Sequence, residues 1–227
     1  MKKSVIVVAG GSGLRMGHDV PKQFLPIGGK PILMHTLESF YRVDAAMHIV
    51  LVLPQLQIGY WNGLCRQYHF EVPHLTALGG ETRFHSVKNG LAQVQPRSLV
   101  AVHDGVRPFV SADTIRRCFE GAALRGNAIP VVQPVESIRQ VLSDGSIAVD
   151  RNVFKLVQTP QVFRWEQISA AYELPYDPLF TDDASVVEKA GFVINLVDGN
   201  RENVKITTPF DLLLAGALLA SPGDSGA

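Results

Sequence analysis

The chain has 227 residues, of which 46% are hydrophobic and 19% charged, a composition that can build the core of one sizeable domain. Its 21 basic and 21 acidic residues balance, which excludes a global electrostatic attraction to nucleic acid or to an acidic membrane surface. The first apolar stretch ends at a glycine loop, and the apolar run at residues 212–220 is too short to cross a bilayer. Two cysteines are too few for a disulfide framework and are typical of a reducing compartment. We therefore expect a cytoplasmic protein with neither nucleic acid nor membrane as a partner.

Strands and helices are predicted to alternate over most of the chain. The opening run at residues 4–9 (SVIVVA) is typical of a strand buried on both faces of a parallel sheet, and a helical pattern begins at Pro31. Further helices are predicted to begin near residues 84 and 115. Further strands are predicted at residues 47–53, 75–78, 99–103 and 128–132. This alternation favours an α/β fold with a mostly parallel, doubly wound sheet.

The alternation is interrupted between about residues 134 and 157. Residues 138–142 and 147–149 flank the turn-rich sequence SDGS, a pattern that predicts a β-hairpin. A wound sheet gives such a hairpin little to pack on, so we expect a projecting arm that takes part in dimerisation. The apolar residues that we expect the dimer to bury are Ile138, Val141 and Ile147.

The last third of the chain returns to helical patterns. Helices are predicted near Trp165 and at residues 183–189, and a strand at residues 192–197. Thr208 and Pro209 have the residue types of a helix N-cap and first turn, so a final helix is expected to begin there. Because the sequence contains no repeat or linker, we predict a single domain over residues 1–227 that includes the arm.

The loop after the first strand is suited to binding phosphate. Gly10, Gly11 and Gly13 let backbone N–H groups approach an anion closely, and Arg15 adds a fixed cation. The loop has neither the P-loop lysine nor a dinucleotide-binding fingerprint. A glycine turn alone is as often structural, but Lys22 can bring a second cation to it, which favours a triphosphate.

Two further loops follow predicted strand ends, where a wound sheet exposes its ligand sites. The first is GGETRFHS at residues 79–86. The second begins with His103 and Asp104. Asp104 is a plausible Mg²⁺ contact because Mg²⁺ prefers one or two carboxylates together with phosphate oxygens; the alternative is a turn acid. A lone histidine such as His103 is more typical of a hydrogen-bonded core residue.

Eight segments in order make the chain resemble the 2-C-methyl-D-erythritol 4-phosphate cytidylyltransferases, over residues 4 to about 214. They are AGGSGLRMG, PKQFLPIGGKPILMHTLESF, GGETRFHSV, HDGVRPFV, DRN, QTPQVF, TDDASVVE and GNRENVKITTPFDL. The resemblance implies a Rossmann-like nucleotidyltransferase fold with a β-arm that interlocks two subunits. It also implies transfer of CMP from CTP to 2-C-methyl-D-erythritol 4-phosphate, giving CDP-methylerythritol and pyrophosphate, with Mg²⁺ or another divalent cation.

The resemblance also assigns roles to residues at matching positions. The catalytic cations would be Arg15 and Lys22 on the α-phosphate, and Lys205 and the partner's Arg151 on the polyol phosphate. Together with the phosphate-binding role predicted above for the glycine loop, the resemblance gives as nucleotide-binding residues Ala9, Gly10, Gly11, Gly13, Gly80, Glu81, Ser86 and Asp104. Asp104 would also contact the metal. The further substrate-binding residues would be Arg107, Ser137, Thr159 and Thr181.

The chain departs from the common family pattern at a few positions. Gly10 replaces a second alanine, Glu81 replaces an aspartate, Ser137 replaces a threonine, and HDGVRP replaces HDAARP. The open alternatives are a ribitol-5-phosphate cytidylyltransferase and a catalytically silent nucleotide-binding regulator; a dinucleotide-dependent dehydrogenase would require the fingerprint that this chain lacks.

Overall fold

The computed structural model describes residues 1–10 and 20–220, so Gly11, Gly13 and Arg15 lie outside the described residues. Within these residues the strands are β1 (Lys3–Val8), β2 (Pro26–Ile27), β3 (Lys30–Pro31), β4 (His48–Leu53), β5 (Leu75–Leu78), β6 (Leu99–Asp104), β7 (Asn127–Val132), β8 (Ile138–Leu142), β9 (Gly145–Val149), β10 (Leu156–Val157), β11 (Gln161–Arg164) and β12 (Leu196–Asp198). The helices are α1 (Ile32–Val43), α2 (Gln55–Gln67), α3 (Arg83–Leu91), α4 (Ala112–Arg125), α5 (Trp165–Ala171), α6 (Asp183–Lys189) and α7 (Pro209–Ala220).

The central sheet of the described residues has eight strands in the order β10-β7-β11-β6-β1-β4-β5, with β12 also paired to β7. β1 pairs in parallel with both β4 and β6, and β4 pairs in parallel with β5. The chain thus winds outward from β1 to β5 and returns to β6 on the other side of β1. In such sheets the crevice at the carboxyl ends of the strands, where the winding reverses, is the usual ligand site. The prediction of a mostly parallel, doubly wound sheet is confirmed.

Helices cover both faces of the sheet because successive strand residues point to opposite sides. In β1, Val5 and Val7 pack in one apolar cluster with residues of α1, α2 and α4. Ile6, between them, packs in a second cluster with residues of α3, α5 and α6. These two cores hold the carboxyl ends of the strands in fixed positions.

Several elements differ from the sequence prediction, which did not include the short strands β2, β3 and β10. Helix α2 was missed because Gly59 and Gly63 interrupt its apolar pattern and only Trp61 and Leu64 are buried. Strand β11 was missed, and it runs antiparallel between β6 and β7; a short buried run does not reveal its direction. The strand predicted at residues 192–197 is limited to Leu196–Asp198, because the Asn127 side chain bonds the preceding segment in place of a ladder.

The predicted hairpin is confirmed as a separate two-stranded sheet of β8 and β9. Ile138 faces Val149 and Gln140 faces Ile147 across the pair, so Ile138 and Ile147 share one face. Val141 pairs with Ser146 on the opposite face. Val141 is 81% exposed and Ile147 is 48% exposed. The apolar residues of the arm therefore lie on both of its faces.

Helix α7 begins as the sequence predicted. The Thr208 hydroxyl accepts a hydrogen bond from the Asp211 backbone N–H, and the Asp211 carboxylate accepts one from the N–H of Thr208. The helix packs through Ala215 against Ile27 and Ile32. Neither α7 nor any other helix within residues 1–10 and 20–220 is long and apolar enough to cross a membrane.

Local packing predicts opposite effects for alanine at two helix glycines, Gly90 in α3 and Gly59 in α2. A Cβ at Gly90 would lie 2.6 Å from Ile6 Cγ2 and 3.0 Å from Val52 Cγ2, so Gly90→Ala is expected to lower the free energy of unfolding by about 1–3 kcal/mol. At Gly59 in α2 a Cβ would meet no atom within 4 Å, so Gly59→Ala is expected to raise it by about 0.5–1 kcal/mol. Urea unfolding of both variants checks this, and a stable Gly90→Ala protein would contradict the packing.

Candidate active site

A cleft of about 490 Å³ lies at the carboxyl ends of β1, β4, β5 and β6. The predicted residues that line it are Ala9, Gly10, Lys22, Gly80, Glu81, Ser86, Asp104 and Lys205. The lining residues that sequence reasoning did not assign include Gln23, Gln55, Thr82 and Arg83. The structure thus brings all six of the described residues predicted to bind nucleotide into one place.

The loop between β5 and α3 is held tightly beside this cleft. The Thr82 hydroxyl caps α3 by accepting a hydrogen bond from His85 N, and the Gly80 N–H donates to Ser86 Oγ at 3.0 Å. A Cβ at Gly80 would lie 2.4 Å from His85 Cβ and 3.0 Å from its carbonyl carbon. Only glycine fits there. At Gly10, by contrast, a Cβ would meet only Pro54 atoms at 4.0 Å, so glycine in place of the family's usual alanine changes little.

Asp104, at the end of β6, is a buried carboxylate surrounded by cations. Its Oδ2 lies 3.0 Å from Lys205 Nζ and 3.2 Å from Arg107 Nε, and its Oδ1 lies 3.7 Å from Arg83 Nε. Burial alone would raise the pKa of the Asp104 carboxyl, but these three cations outweigh it and hold that pKa well below its usual range. Asp104 is therefore ionised at every pH at which the protein would work.

Beneath Asp104, a hydrogen-bonded chain fixes the backbone. His103 is fully buried, and its Nε2 lies 3.1 Å from the carbonyl oxygen of Arg107, which can only accept. His103 Nδ1 is then the acceptor for the Thr159 hydroxyl at 3.0 Å. The Thr159 oxygen in turn accepts the Asp104 backbone N–H at 3.2 Å. His103 is thus the hydrogen-bonded core residue that was predicted, and the hydroxyl of Thr159 is engaged inside the protein.

Arg83 is the main functional candidate that sequence reasoning missed. Its Nη1 and Nη2 donate to the two carboxylate oxygens of Asp183 at 2.9 and 2.7 Å. The Tyr172 hydroxyl donates to the same carboxylate at 2.6 Å. The two motifs that contain the pair, GGETRFHSV and TDDASVVE, were recognised, but their contact could not be read from either. Asp182, and not Asp183, caps α6.

The remaining predicted substrate-binding residues lie outside the cleft of the described chain. Arg107 reaches it through Asp104 and also donates to the Asn203 carbonyl at 2.8 Å. Thr181 is exposed in the segment before α6. Ser137 and Arg151 are exposed on the arm, where the Arg151 guanidinium donates to the Val135 carbonyl.

The residues around Asp104 can hold a divalent cation only if most of its ligands come from the substrate and from water. Within the described ranges no three His, Cys, Asp or Glu side chains group together as metal ligands. Asp104 Oδ2 is engaged by two cations, whereas Arg83 Nε approaches its Oδ1 at 3.7 Å, which is beyond hydrogen-bonding distance. One carboxylate oxygen suits Mg²⁺ that receives its other ligands from phosphate oxygens and water.

The chain is similar to known proteins over nearly its whole length. The sequence model of the 2-C-methyl-D-erythritol 4-phosphate cytidylyltransferase family matches residues 4–221. A protein of that name from Bacteroides thetaiotaomicron is 61% identical over 219 residues, which cover 96% of this chain and 100% of the relative. One from Geobacillus thermodenitrificans is 38% identical and covers 97% and 98%. The crystal structure of 4-diphosphocytidyl-2C-methyl-D-erythritol synthase from Anaerococcus prevotii superposes with a TM-score of 0.82 at 29% identity, covering 96% of each chain.

The burial of His103 predicts a loss of stability in acid. Burial lowers its pKa from 6.5 to about 4, so between these values the unfolded chain binds more protons than the folded one. The free energy of unfolding therefore falls by about 3 kcal/mol as the pH decreases from 6.5 to 4, and above pH 6.5 this loss is absent. His103→Gln should flatten the pH dependence of the unfolding free energy in that window. Equal slopes for wild type and His103→Gln would contradict a neutral buried histidine.

Proposed function

The chain belongs to the 2-C-methyl-D-erythritol 4-phosphate cytidylyltransferase family, and from this premise we propose how its cleft carries out the reaction. The protein is an enzyme that transfers CMP from CTP to 2-C-methyl-D-erythritol 4-phosphate in isoprenoid synthesis. The single observation that carries the assignment to this cleft is the group of cations around Asp104 at the point where the winding reverses.

The reaction joins two anions. An oxygen of the polyol phosphate attacks the α-phosphorus of CTP, and a new P–O bond forms as the bond between that phosphorus and the bridging oxygen breaks. The electron pair leaves with pyrophosphate. A phosphate monoester is already ionised at neutral pH, so no general base is required, and catalysis consists of positioning and charge stabilisation.

Lys205 and Arg107 are well placed to hold the phosphate of the polyol. Both converge on one oxygen of Asp104, at 3.0 and 3.2 Å, so their donors are already spaced to grip an oxyanion. The Lys205 side chain is 42% exposed and can turn toward a ligand. On the nucleotide side, Lys22 and the backbone of Ala9 and Gly10 line the cleft, and we assign Arg15 to the α-phosphate with Lys22.

Asp104 is the residue that would hold Mg²⁺ through Oδ1. When bound with CTP, the ion would neutralise phosphate charge and favour the departure of pyrophosphate. The chain's own part is to keep this carboxylate ionised and fixed, through the cations beside it and through the Thr159 hydroxyl beneath its backbone.

We extend the proposal to a homodimer formed through the arm, in which Ser137 and Arg151 enter the partner's cleft. Three observations support it. A lone two-stranded hairpin is marginally stable in water, apolar residues such as Val141 and Ile147 are exposed on this one, and Arg151 lies away from its own chain's cleft. Two free cysteines also fit our assignment to the cytoplasm.

The substrate assignment predicts a clear order of turnover. Purified protein with Mg²⁺ and 2-C-methyl-D-erythritol 4-phosphate should release pyrophosphate with CTP, at a kcat/KM at least about tenfold above that with UTP, ATP or GTP. Ribitol 5-phosphate is the competing acceptor. Equal rates with UTP would contradict the cytidylyl assignment, faster turnover of ribitol 5-phosphate would move the enzyme to that family, and CTP binding without turnover would indicate a regulator.

The shared-arm proposal predicts complementation between inactive subunits. Arg151→Ala and Lys22→Ala subunits should each be inactive alone. After exchange, a mixed dimer has one site with both residues intact, so an equal mixture should recover about a quarter of wild-type activity.

A mixture of Lys22→Ala with Lys205→Ala is the matched control. Both residues line the cleft of their own chain, so mixed dimers contain no intact site and should stay inactive. Absence of recovery in the Arg151 mixture, after subunit exchange has been verified by mass spectrometry, would mean that each site is built from one chain.

A further inference from the structure

The contact between Arg83 and Asp183 holds a carboxylate that is completely buried. Both oxygens of Asp183 are engaged by the Arg83 guanidinium, and the Asp183 side chain is 0% exposed. The two residues are 100 positions apart. Burial of a bidentate ion pair costs desolvation free energy, and the attraction within the pair need not exceed that cost. The presence of the pair is therefore weak evidence that its role is to stabilise the fold. A role in fixing geometry is the alternative that the surrounding contacts support.

Asp183 is itself held from outside the cleft. It is the first residue of α6, where the helix dipole favours a negative charge, and the buried Tyr172 hydroxyl donates to its Oδ1. Tyr172 stacks on Phe84 with ring centroids 4.7 Å apart. Arg83 is thereby anchored by groups that belong to the core and that no ligand in the cleft can displace.

The free edge of this anchored guanidinium faces Asp104. Arg83 Nε lies 3.7 Å from Asp104 Oδ1, while Lys205 and Arg107 hold Oδ2. Under the proposed function, Lys205 and Arg107 also bind the polyol phosphate, so their charge is shared between Asp104 and the ligand. Arg83 is then the cation whose position beside the carboxylate does not depend on that ligand, because its other edge is fixed by Asp183.

We infer that Arg83 is a positioning residue, which acts through Asp104 by fixing the orientation of that carboxylate toward the bound nucleotide and its metal. Burial alone would lower the pKa of Arg83, but Asp183 and Asp104 outweigh it and raise that pKa above its usual range, so the charge is permanent. A lysine would keep the charge but lack the planar fork. It can satisfy Asp183 or approach Asp104, but it cannot do both with fixed geometry.

A double-mutant cycle between Arg83 and Asp104 tests the inference. Binding of CTP with Mg²⁺ is measured by calorimetry for wild type, Arg83→Lys, Asp104→Asn and the double variant. Arg83→Lys should weaken binding about tenfold when Asp104 is present and less than about twofold in the Asp104→Asn background. The kcat should follow the same pattern, because an uncharged amide no longer responds to the guanidinium.

Two comparators separate positioning from stability. Tyr172→Phe removes one hydrogen bond from Asp183 but leaves the Arg83 fork, so it should lower Tm and leave CTP affinity within about twofold. Lys88 lies on the same helix as Arg83 and forms an exposed ion pair with Glu173. Lys88→Gln removes this ion pair and should change neither Tm nor CTP affinity. The inference is overturned if Arg83→Lys weakens binding equally in both backgrounds, or if it lowers Tm like Tyr172→Phe without weakening binding.

The inference rests on the proposed function for the identity of the ligand, yet the two can fail separately. Lack of turnover with 2-C-methyl-D-erythritol 4-phosphate counts against the proposed function alone, because the cycle reads binding. If CTP itself does not bind, the same cycle is run with inorganic tripolyphosphate and Mg²⁺, which present the same charges to Asp104. Coupling between the two substitutions is again expected, and additive effects would again overturn the inference.

Discussion

A buried negative charge at the carboxyl end of β6 is the constraint around which the cleft is organised. Asp104 is 7% exposed, so it requires compensation, and that compensation comes from three cations carried by different segments of the chain. The same burial has the opposite effect on the adjacent His103, whose pKa it lowers to about 4. A neutral imidazole adds no further positive charge and can bond Thr159 on one side and the Arg107 carbonyl on the other.

In this arrangement the Asp104 carboxylate is an anion that holds Lys205 and Arg107 together, as a phosphate oxygen could. Without a ligand, Lys205 and Arg107 would repel one another, and the carboxylate keeps them together at the spacing that an oxyanion needs. A phosphate that binds beside Asp104 therefore meets two cations that are already close together, so they need little rearrangement. Preorganised cations contribute most to the rate of a reaction that joins two anions, because electrostatic repulsion is its main obstacle and no proton has to be removed.

The features that could be predicted from the sequence are those that depend on residues close to one another along the chain. The strand–helix alternation, the capping of α7 by Thr208 and Asp211, and the loop containing Gly80 each depend on neighbours a few residues away. The Arg83–Asp183 pair could not be predicted in the same way, since its partners are separated by 100 residues. Nor could the direction of β11, because the apolar residues of a fully buried strand follow the same pattern in either orientation.

The arm is the segment through which we propose that a second subunit completes the site. Its apolar side chains lie on both faces of a two-stranded ribbon, with Ile147 on one and Val141 on the other. A flat contact with another surface would cover only one of these faces. In the homodimer that we propose, each arm is wrapped by its partner, which covers both faces and brings Arg151 toward the neighbouring cleft. The exposure that makes the isolated hairpin marginal is therefore the same feature that supports delivery of the last cation by a second subunit.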